Sequence, residues 1–513
     1  MPTYIHWFRR DLRLRDNPAL LAALRASAGR VVPVFVLDDA ILRAPDTAAA
    51  RVVFLLDSLR ALDQALRDRG SRLIVRRGPP AQRLSELAEQ AGAVGLCFNR
   101  DYTPFTQDRD QAVHATMAAR GVEVRSFKDA VVVEAGELLT KAGTPYTVYT
   151  PYRRQWRARV EADGPPPDER LPAFAPVPEQ IESLAIPSAG ELGFSTHQTI
   201  PPGGEQAGLA RLAAWSGGEQ RPGIGGYQTA REHPAIDGTS RLSPYLRFGC
   251  VAPIACLRTA LQTFEGTKDE GRNSNASSKS AETLPLVLGH SSSVDAWIGE
   301  LAWRDFYYQI LAHFPHVLDG AFRRSYDSLE WENDQRLFEA WRTGQTGYPI
   351  VDAAMRQLNA EAWMHNRARM IVASFLTKDL LIDWRQGERY FMQQLVDGDH
   401  ASNNGGWQWA AGTGTDAQPY FRIFNPTSQG QKFDARGDYV RRYVPELAGV
   451  PERYIHTPWS LPAAEQRRIG VVIGRDYPEP VVDHATQRAQ ALALYRRARA
   501  QDREHITKTD TYS

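Results

Sequence analysis

The chain has 513 residues, of which 42% are hydrophobic and 24% are charged, and its formal net charge is +1. This length is more than one hydrophobic core supports and predicts at least two domains, while the near-neutral charge excludes nucleic-acid binding through overall basicity alone. The three cysteines, Cys97, Cys250 and Cys256, have no metal-binding spacing and cannot form a disulfide framework, which indicates a reducing compartment.

The N-terminal residues MPTYIHWFRRD lead directly from Met into a strand-like apolar run and then into charges. They lack the long apolar core and small-residue cleavage site of a signal peptide. The sequence also contains no apolar stretch long enough to cross a membrane. We therefore expect a cytoplasmic protein without a membrane anchor.

Residues 1–130 are predicted to form a doubly wound α/β domain with a parallel sheet. Apolar runs that read as strands alternate with segments whose apolar residues recur every three or four positions. The strand-like runs are YIHWF, VVPVFVLD, SRLIVRRG, AVGLCFN and VEVRSF. The glycine fingerprint of dinucleotide-binding domains is absent after the first strand, but ligands should still bind at the carboxyl ends of the strands.

The rest of the chain is predicted to be a connector followed by a helical domain. Residues 131–204 are rich in proline and weakly periodic, which is typical of an interdomain connector. Helical periodicity dominates residues 205–490 and predicts an all-α domain, and residues 491–513 are the end of a C-terminal helix and a polar tail. Residues 266–293 are rich in Gly and Ser and are interpreted as an insertion without an assigned function.

A polar stretch, residues 397–426, is the strongest candidate for a site. It contains two carboxylates, two amides, a glycine pair and two tryptophans: Asp397, Asp399, Asn403, Asn404, Gly405, Gly406, Trp407 and Trp409. A calcium loop is excluded because Ala401 and Ser402 stand where an oxygen ligand and a glycine are required, and no metal is predicted. The glycines permit a positive φ or a close approach of backbone to a ligand. A spacing of two on a helix separates the indoles by about 200°, so one should face inward and the other a cavity or partner.

The stretch TSRLSPYLRFG is predicted to begin a helix, with Ser243 as the N-cap and Pro244 as the first helical residue. Such a start directs N–H groups and hydroxyls at one point and is suited to bind an anion. Many helices begin with Ser-Pro, however, and this pattern alone does not decide between an anion site and an ordinary helix start.

Two further helices carry polar and aromatic side chains together on one face. The first set is Trp297, Glu300, Trp303, Arg304 and Tyr307, and the second is Asn366, Arg369 and Met370. A face buried in a core would be apolar instead. An exposed amphipathic helix with a Glu300–Arg304 pair is an equally good interpretation of the first set from spacing alone.

In their order along the chain, these motifs resemble the DNA photolyase/cryptochrome family, most closely the microbial (class I) photolyases of cyclobutane pyrimidine dimers. The motifs that carry the resemblance are WFRRDLRLRDNPAL, TSRLSPYLRFG, ELAWRDFYYQI, WMHNRARMIVASFLTKDLLIDWRQGERYF and residues 397–426. The resemblance implies a light-driven repair enzyme that acts on DNA carrying pyrimidine dimers, with reduced FAD as its cofactor, and we expect it to be a monomer.

The resemblance also implies roles for individual residues. The residues expected to bind FAD are Tyr227, Thr239, Ser240, Arg241, Leu242, Ser243, Trp297, Glu300, Arg304, Asn366, Arg369, Asp397, Asp399 and Asn403. Those expected to contact the dimer or the DNA are Glu300, Trp303, Tyr307, Asn366, Met370, Trp409 and Gln429. Catalysis is expected to involve Glu300, Asn366 and Asn403, with an electron path through Trp331, Trp384 and Trp407.

A cryptochrome, which signals through a partner and repairs nothing, is the alternative within the same family. Asn403 corresponds to the family position that faces N5 of the flavin, where plant cryptochromes carry Asp, and an amide there suits a fully reduced flavin. This residue favours the repair enzyme.

The resemblance further implies an antenna chromophore in the α/β domain. Phe105 and Thr106 occupy the positions at which folate-binding members carry Asn and Glu. A deazaflavin or a second flavin is therefore favoured over methenyltetrahydrofolate, and an empty antenna site is the remaining alternative.

Overall fold

The computed structural model describes residues 1–217, 222–270 and 292–509. The chain divides into two compact units. The first unit consists of Met1–Thr196, Ile200–Gln228 and Thr239–Pro315, and the second of His197–Thr199, Thr229–Gly238 and His316–Ser513. This division follows contact density, whereas the predicted boundaries at residues 130, 204 and 490 follow changes of periodicity, so those domain boundaries stay a prediction.

The first unit contains a parallel sheet of five strands, as predicted. The strands are β1 (Thr3–Phe8), β2 (Val31–Leu37), β3 (Ile74–Arg77), β4 (Ala93–Asn99) and β5 (Glu123–Phe127), in the order β3-β2-β1-β4-β5. Ile5 in the central strand pairs with Val32 on one side and with Leu96 on the other. Strands β1 and β2 are almost completely buried, because the helices of a doubly wound fold cover both faces of a parallel sheet.

Eleven α-helices of the described residues begin in the first unit. They are α1 (Pro18–Ser27), α2 (Asp39–Leu42), α3 (Ala49–Arg67), α4 (Pro80–Ala91), α5 (Pro104–Ala118), α6 (Tyr149–Asp163), α7 (Glu205–Gly217), α8 (Tyr227–Ala230), α9 (Ser243–Arg247), α10 (Pro253–Glu270) and α11 (Ser292–His313). Local sequence explains several starts: Asn17 accepts the Leu20 N–H ahead of α1, and a proline follows each cap of α1 and α5.

The predicted connector is not irregular throughout. Helix α6 occupies Tyr149–Asp163 and buries Tyr149, Tyr152, Trp156 and Val160. The interpretation of residues 131–204 as weakly periodic is therefore wrong for this segment. Its four buried side chains do recur at helical spacing, but arginines dominate the sequence between them and hide the pattern.

The predicted insertion at residues 266–293 mostly falls outside the part of the chain that the structure describes. Residues 266–270 continue the backbone of α10, and α11 begins at Ser292. Residues 271–291 lie outside the described ranges.

The second unit is helical, as predicted. Its helices are α12 (Gln335–Thr343), α13 (Pro349–Glu361), α14 (Asn366–Ser374), α15 (Trp384–Gln394), α16 (His400–Ala411), α17 (Pro426–Phe433), α18 (Asp438–Tyr443), α19 (Ala463–Ile469) and α20 (His484–Thr509). A π-helical turn, Phe375–Asp379, continues α14. The core of this unit contains Trp341, Trp384 and Trp407, each no more than 2% exposed.

Two searches of the described residues gave negative results. No helix there is long and apolar enough to cross a membrane. No group of three or more His, Cys, Asp or Glu side chains among them is arranged to hold a metal ion.

Candidate functional site

In the second unit, Asp397 lies beside Arg369, which the sequence predicts as its neighbour. Arg369 Nη2 donates to Asp397 Oδ2 at 2.8 Å, and Arg369 Nε donates to the Met364 carbonyl at 2.9 Å. The other carboxylate oxygen of Asp397, Oδ1, is buried and has no hydrogen-bond partner among the described residues. A buried acceptor without a donor is costly, so this oxygen is suited to accept a hydrogen bond from a ligand hydroxyl.

Asp399 caps the start of a helix, a structural role that the sequence analysis did not assign to it. It is the N-cap of α16, and its side chain accepts the Ser402 N–H at 3.0 Å. The glycine pair that follows is helical, and neither Gly405 nor Gly406 has a positive φ. Of the two alternatives given for these glycines, the positive φ is therefore wrong, whereas a close approach of backbone to a ligand stays a prediction; Gly406 leaves open space where a Cβ would stand.

The side-chain amide of Asn403 has one fixed orientation. Asn403 Nδ2 donates to the Glu388 carbonyl at 3.0 Å. Only the nitrogen end of the amide can face a carbonyl, so the oxygen, Oδ1, is directed away from Glu388 and acts as an acceptor. The next residue strengthens this arrangement, because Asn404 Nδ2 donates to Glu388 Oε1 at 3.1 Å and to the Val317 carbonyl at 2.9 Å. Helices α15 and α16 are thereby held together at the amide.

The two tryptophans of α16 differ in exposure, as their spacing predicts. Trp407 is 2% exposed and lies in a ring cluster, with its centroid 5.0 Å from Phe391 and 6.0 Å from Trp341. Trp409 is only partly buried and packs at the edge of the same core.

The other predicted relay tryptophans show a gradient of burial. Trp384 is 1% exposed and has the Arg385 guanidinium 4.9 Å above its ring. Trp331 is partly exposed, and its ring lies 6.2 Å from that of Tyr495. The electron path through these tryptophans stays a prediction.

Helix α14 places the second predicted polar face at its start. His365 is the N-cap and accepts the Arg367 N–H at 3.2 Å through Nδ1. Asn366 is exposed, and Met370 is half-buried one turn later. Gln429 lies on α17, where its Oε1 is buried without a partner among the described residues.

In the first unit, α11 carries the predicted aromatic and acidic face. Trp303 stacks on Tyr149 with a centroid distance of 3.5 Å and an interplanar angle of 10°, and Tyr307 lies 5.5 Å from the same indole. Tyr149 donates its hydroxyl to the Gly299 carbonyl at 2.8 Å, and burial raises the pKa of this phenol. One face of Trp303 is therefore already covered by a residue that the sequence did not single out.

Other predicted residues of the first unit have protein partners. Arg304 donates to the Ala130 carbonyl, and its guanidinium lies 4.7 Å from the centre of the Tyr308 ring. Trp297 and Tyr227 are both buried and share a neighbour, because the Trp215 ring lies 6.5 Å from the first and 5.8 Å from the second. Glu300 is half-buried on the same helix.

The predicted anion-binding stretch forms a tight loop. Arg241 has a φ of 49°, which is rare for a residue with a side chain, and Leu242 is 1% exposed. The prediction that Ser243 is the N-cap is wrong: Leu242 precedes the helix, and Ser243 is the first helical residue of α9. The left-handed conformation at Arg241 brings the chain into the helix one residue earlier than the Ser-Pro pattern suggests. Thr239 and Ser240 precede this turn and are half-buried.

Comparison with known proteins identifies the family. The sequence model described as DNA photolyase matches residues 4–175, and that described as the FAD binding domain of DNA photolyase matches residues 297–497. A deoxyribodipyrimidine photo-lyase of Halobacterium salinarum is 41% identical over 97% of this chain and 100% of its own length.

Solved structures agree with this result. A class III photolyase of Agrobacterium tumefaciens has a TM-score of 0.85 and 38% identity, covering 98% of each chain. A cryptochrome of Synechocystis sp. PCC6803 has a TM-score of 0.83 and 31% identity, covering 96% of this chain and 99% of its own. The chain belongs to the DNA photolyase family.

Proposed function

We propose that the protein is a light-driven DNA repair enzyme that uses reduced FAD to split cyclobutane pyrimidine dimers. The observation that carries the proposal is the 41% identity to a deoxyribodipyrimidine photo-lyase over 97% of the chain. The match includes both the segment with the parallel sheet and the segment with the FAD binding domain. The enzyme would act as a monomer in the cytoplasm, where it has access to DNA.

The residues of the second unit fit an FAD molecule. The partnerless Oδ1 of Asp397 would accept a hydrogen bond from a ribityl or ribose hydroxyl, while Arg369 holds the other oxygen of this carboxylate. Asn403 presents Oδ1 as an acceptor because Glu388 binds its nitrogen. An acceptor at this place suits a flavin that carries a proton on N5, as the fully reduced form does. Bound in that form, FAD supplies a light-driven electron that opens the cyclobutane ring and then returns.

Three of the residues proposed to bind the dimer, Glu300, Trp303 and Tyr307, lie on α11 of the first unit. Because Tyr149 covers one face of Trp303, that face is not available to a base. The tyrosine also holds that indole rigidly, which lowers the entropy lost when a base stacks on it.

The substrate must leave the double helix before these side chains can reach it. Photolyases belong to the enzymes that flip their target out of the base stack. Sequence-independent contacts to the flanking phosphates would hold the DNA during this step, and binding should weaken steeply as the salt concentration rises.

The deciding experiment compares two lesions under light. Matched oligonucleotides carrying a cyclobutane dimer or a (6-4) product are illuminated with fully reduced protein, with dark controls. Asn366 is a neutral amide that cannot act as an acid, so we expect reversal of the cyclobutane dimer alone. Reversal of the (6-4) product, or no reversal of the dimer, would contradict the proposal, and the second result would favour a signalling cryptochrome.

Glu300 provides a test of the dimer contact in the same assay. Glu300→Ala should weaken dimer binding roughly tenfold or more, because a hydrogen bond to a charged group contributes about 1.5–3 kcal/mol. Bound FAD should remain at the level of the parent protein. Unchanged dimer affinity, or the loss of FAD together with dimer binding, would remove Glu300 from the proposed contact.

We also propose that any antenna chromophore is a deazaflavin or a second flavin. Thr106 does not offer its hydroxyl to a folate, since it donates to the Thr103 carbonyl at 2.8 Å within the cap of α5. Phe105 is 46% exposed and offers no polar group.

A further inference from the structure

Arg211, on α7, binds two successive carbonyl groups of the loop at residues 239–243. Its Nε donates to the Ser240 carbonyl at 2.6 Å, and its Nη2 donates to the Thr239 carbonyl at 3.0 Å. The side chain is half-buried, so solvent competes little with these bonds. The two carbonyls are thereby fixed on the side of the loop that faces α7.

This contact decides where the N–H groups of the loop point. In a trans peptide the N–H is directed opposite to the preceding carbonyl. The N–H groups of Ser240 and Arg241 therefore point to the side of the loop away from Arg211. The φ of 49° at Arg241 adds the left-handed residue with which successive N–H groups form a concave anion-binding nest.

The helix that follows the loop is too short to attract an anion in place of the loop N–H groups. Helix α9 has only 5 residues and lacks a side-chain hydrogen bond at its N-cap. A macrodipole develops only over several turns, so the loop amides must provide most of the attraction for an anion.

We propose that Arg211 is a positioning residue for the diphosphate of FAD, acting through the Thr239 and Ser240 carbonyls. The proposal rests on the proposed function, because it takes FAD as the ligand of this loop. Arg211 keeps the carbonyl oxygens away from the phosphates and the N–H groups toward them. Its positive charge, on the far side of the same peptide planes, adds a favourable field for the anion.

A matched control exists in the same unit. Arg72 also binds two carbonyls of one loop, since its Nη2 donates to Pro178 at 3.0 Å and to Ile181 at 2.6 Å. That loop contains none of the residues proposed for FAD. Arg72→Gln therefore measures the cost of removing a guanidinium that holds a loop, without the proposed effect on the cofactor.

The experiment titrates FAD into full-length protein freed of cofactor and compares the parent, Arg211→Gln, Arg211→Lys and Arg72→Gln. We expect both Arg211 variants to raise the dissociation constant for FAD by roughly ten- to a hundredfold. This is the change expected when hydrogen bonds from a charged donor are lost. Lys keeps the charge but lacks the fork that reaches both carbonyls. The affinity of the Arg211→Lys protein for FAD should therefore stay well below that of the parent. Arg72→Gln should bind FAD like the parent, and the repair yield per bound flavin should be unchanged in all variants.

Three outcomes would overturn the inference. These are an Arg211→Gln protein with the parent's affinity, an Arg211→Lys protein with the parent's affinity, and equal losses in Arg211→Gln and Arg72→Gln. Should Arg211→Gln not fold, Arg211→Lys carries the comparison. A parent protein that binds no FAD would instead refute the proposed function.

Discussion

Replacement of Asn403 by Asp tests whether the Glu388 carbonyl fixes the amide. The replacement puts a carboxylate oxygen where Nδ2 now lies, 3.0 Å from the carbonyl oxygen. Two acceptors then face each other at a partly buried position, where an acceptor left without a donor costs up to about 1–3 kcal/mol. The new carboxyl can restore the bond only by protonating, so its pKa in the folded protein must rise above the usual value of about 3.9.

The pH dependence has a definite sign. A raised pKa in the folded state gives a contribution to stability that is complete below about pH 4 and is lost as the pH rises through the folded-state value. Asn403→Asp should therefore unfold in urea close to the parent at pH 4.5 and about 1–3 kcal/mol more easily at pH 8. Asn359→Asp is the control, because Asn359 Nδ2 also donates to a carbonyl, that of Arg342 at 2.8 Å, but in a hydrogen bond that is exposed to solvent. A loss at pH 8 no larger than that of the control would refute the fixed orientation of Asn403.

Three further predictions concern the relay, a buried carboxyl and the antenna. Trp331→Phe should block photoreduction of oxidised FAD but leave repair by chemically reduced enzyme intact; photoreduction at the parental rate would exclude Trp331 from the path. Burial raises the pKa of Asp379, which pairs with His484, to about 6, so its contribution to stability is lost as the pH rises through 6. Asp379→Asn should consequently gain stability relative to the parent between pH 4 and 8, by at most about 3 kcal/mol, and urea unfolding that shows the opposite trend would contradict this. Protein made in a folate-replete host should contain no stoichiometric methenyltetrahydrofolate, because Phe105 and Thr106 offer it no polar partner, and absorption and mass spectrometry of the released chromophores would reveal any.

The sheet was predictable because its physical cause is local. Parallel strands buried on both faces must be apolar along their whole length, and the helices between them must be apolar on one side only. Both patterns can be recognised within a window of about 11–18 residues. Helix α6 was not predicted because arginines stand between its four buried side chains and hide the helical spacing. Its Arg153 and Arg157 pair with Asp295 on α11, and such a partner cannot be read from the local pattern.

In the candidate site, too, some contacts cannot be predicted from the local sequence pattern. Asn403 and Asp397 could be named from the sequence because they lie in a polar stretch and because the family resemblance implied their roles. The groups that orient Asn403 and the loop at residues 239–243 are different: Glu388 acts on Asn403 through its carbonyl, and Arg211 acts on two carbonyls of the loop. Every residue has a carbonyl, so such contacts leave no signature in residue type or spacing, and only the folded backbone reveals them. Substitutions at Glu388 should accordingly perturb the amide of Asn403 only where they shift the backbone of α15, whereas substitutions at Arg211 remove the donor itself. Arg211 is therefore the more direct place to test how the fold positions the cofactor.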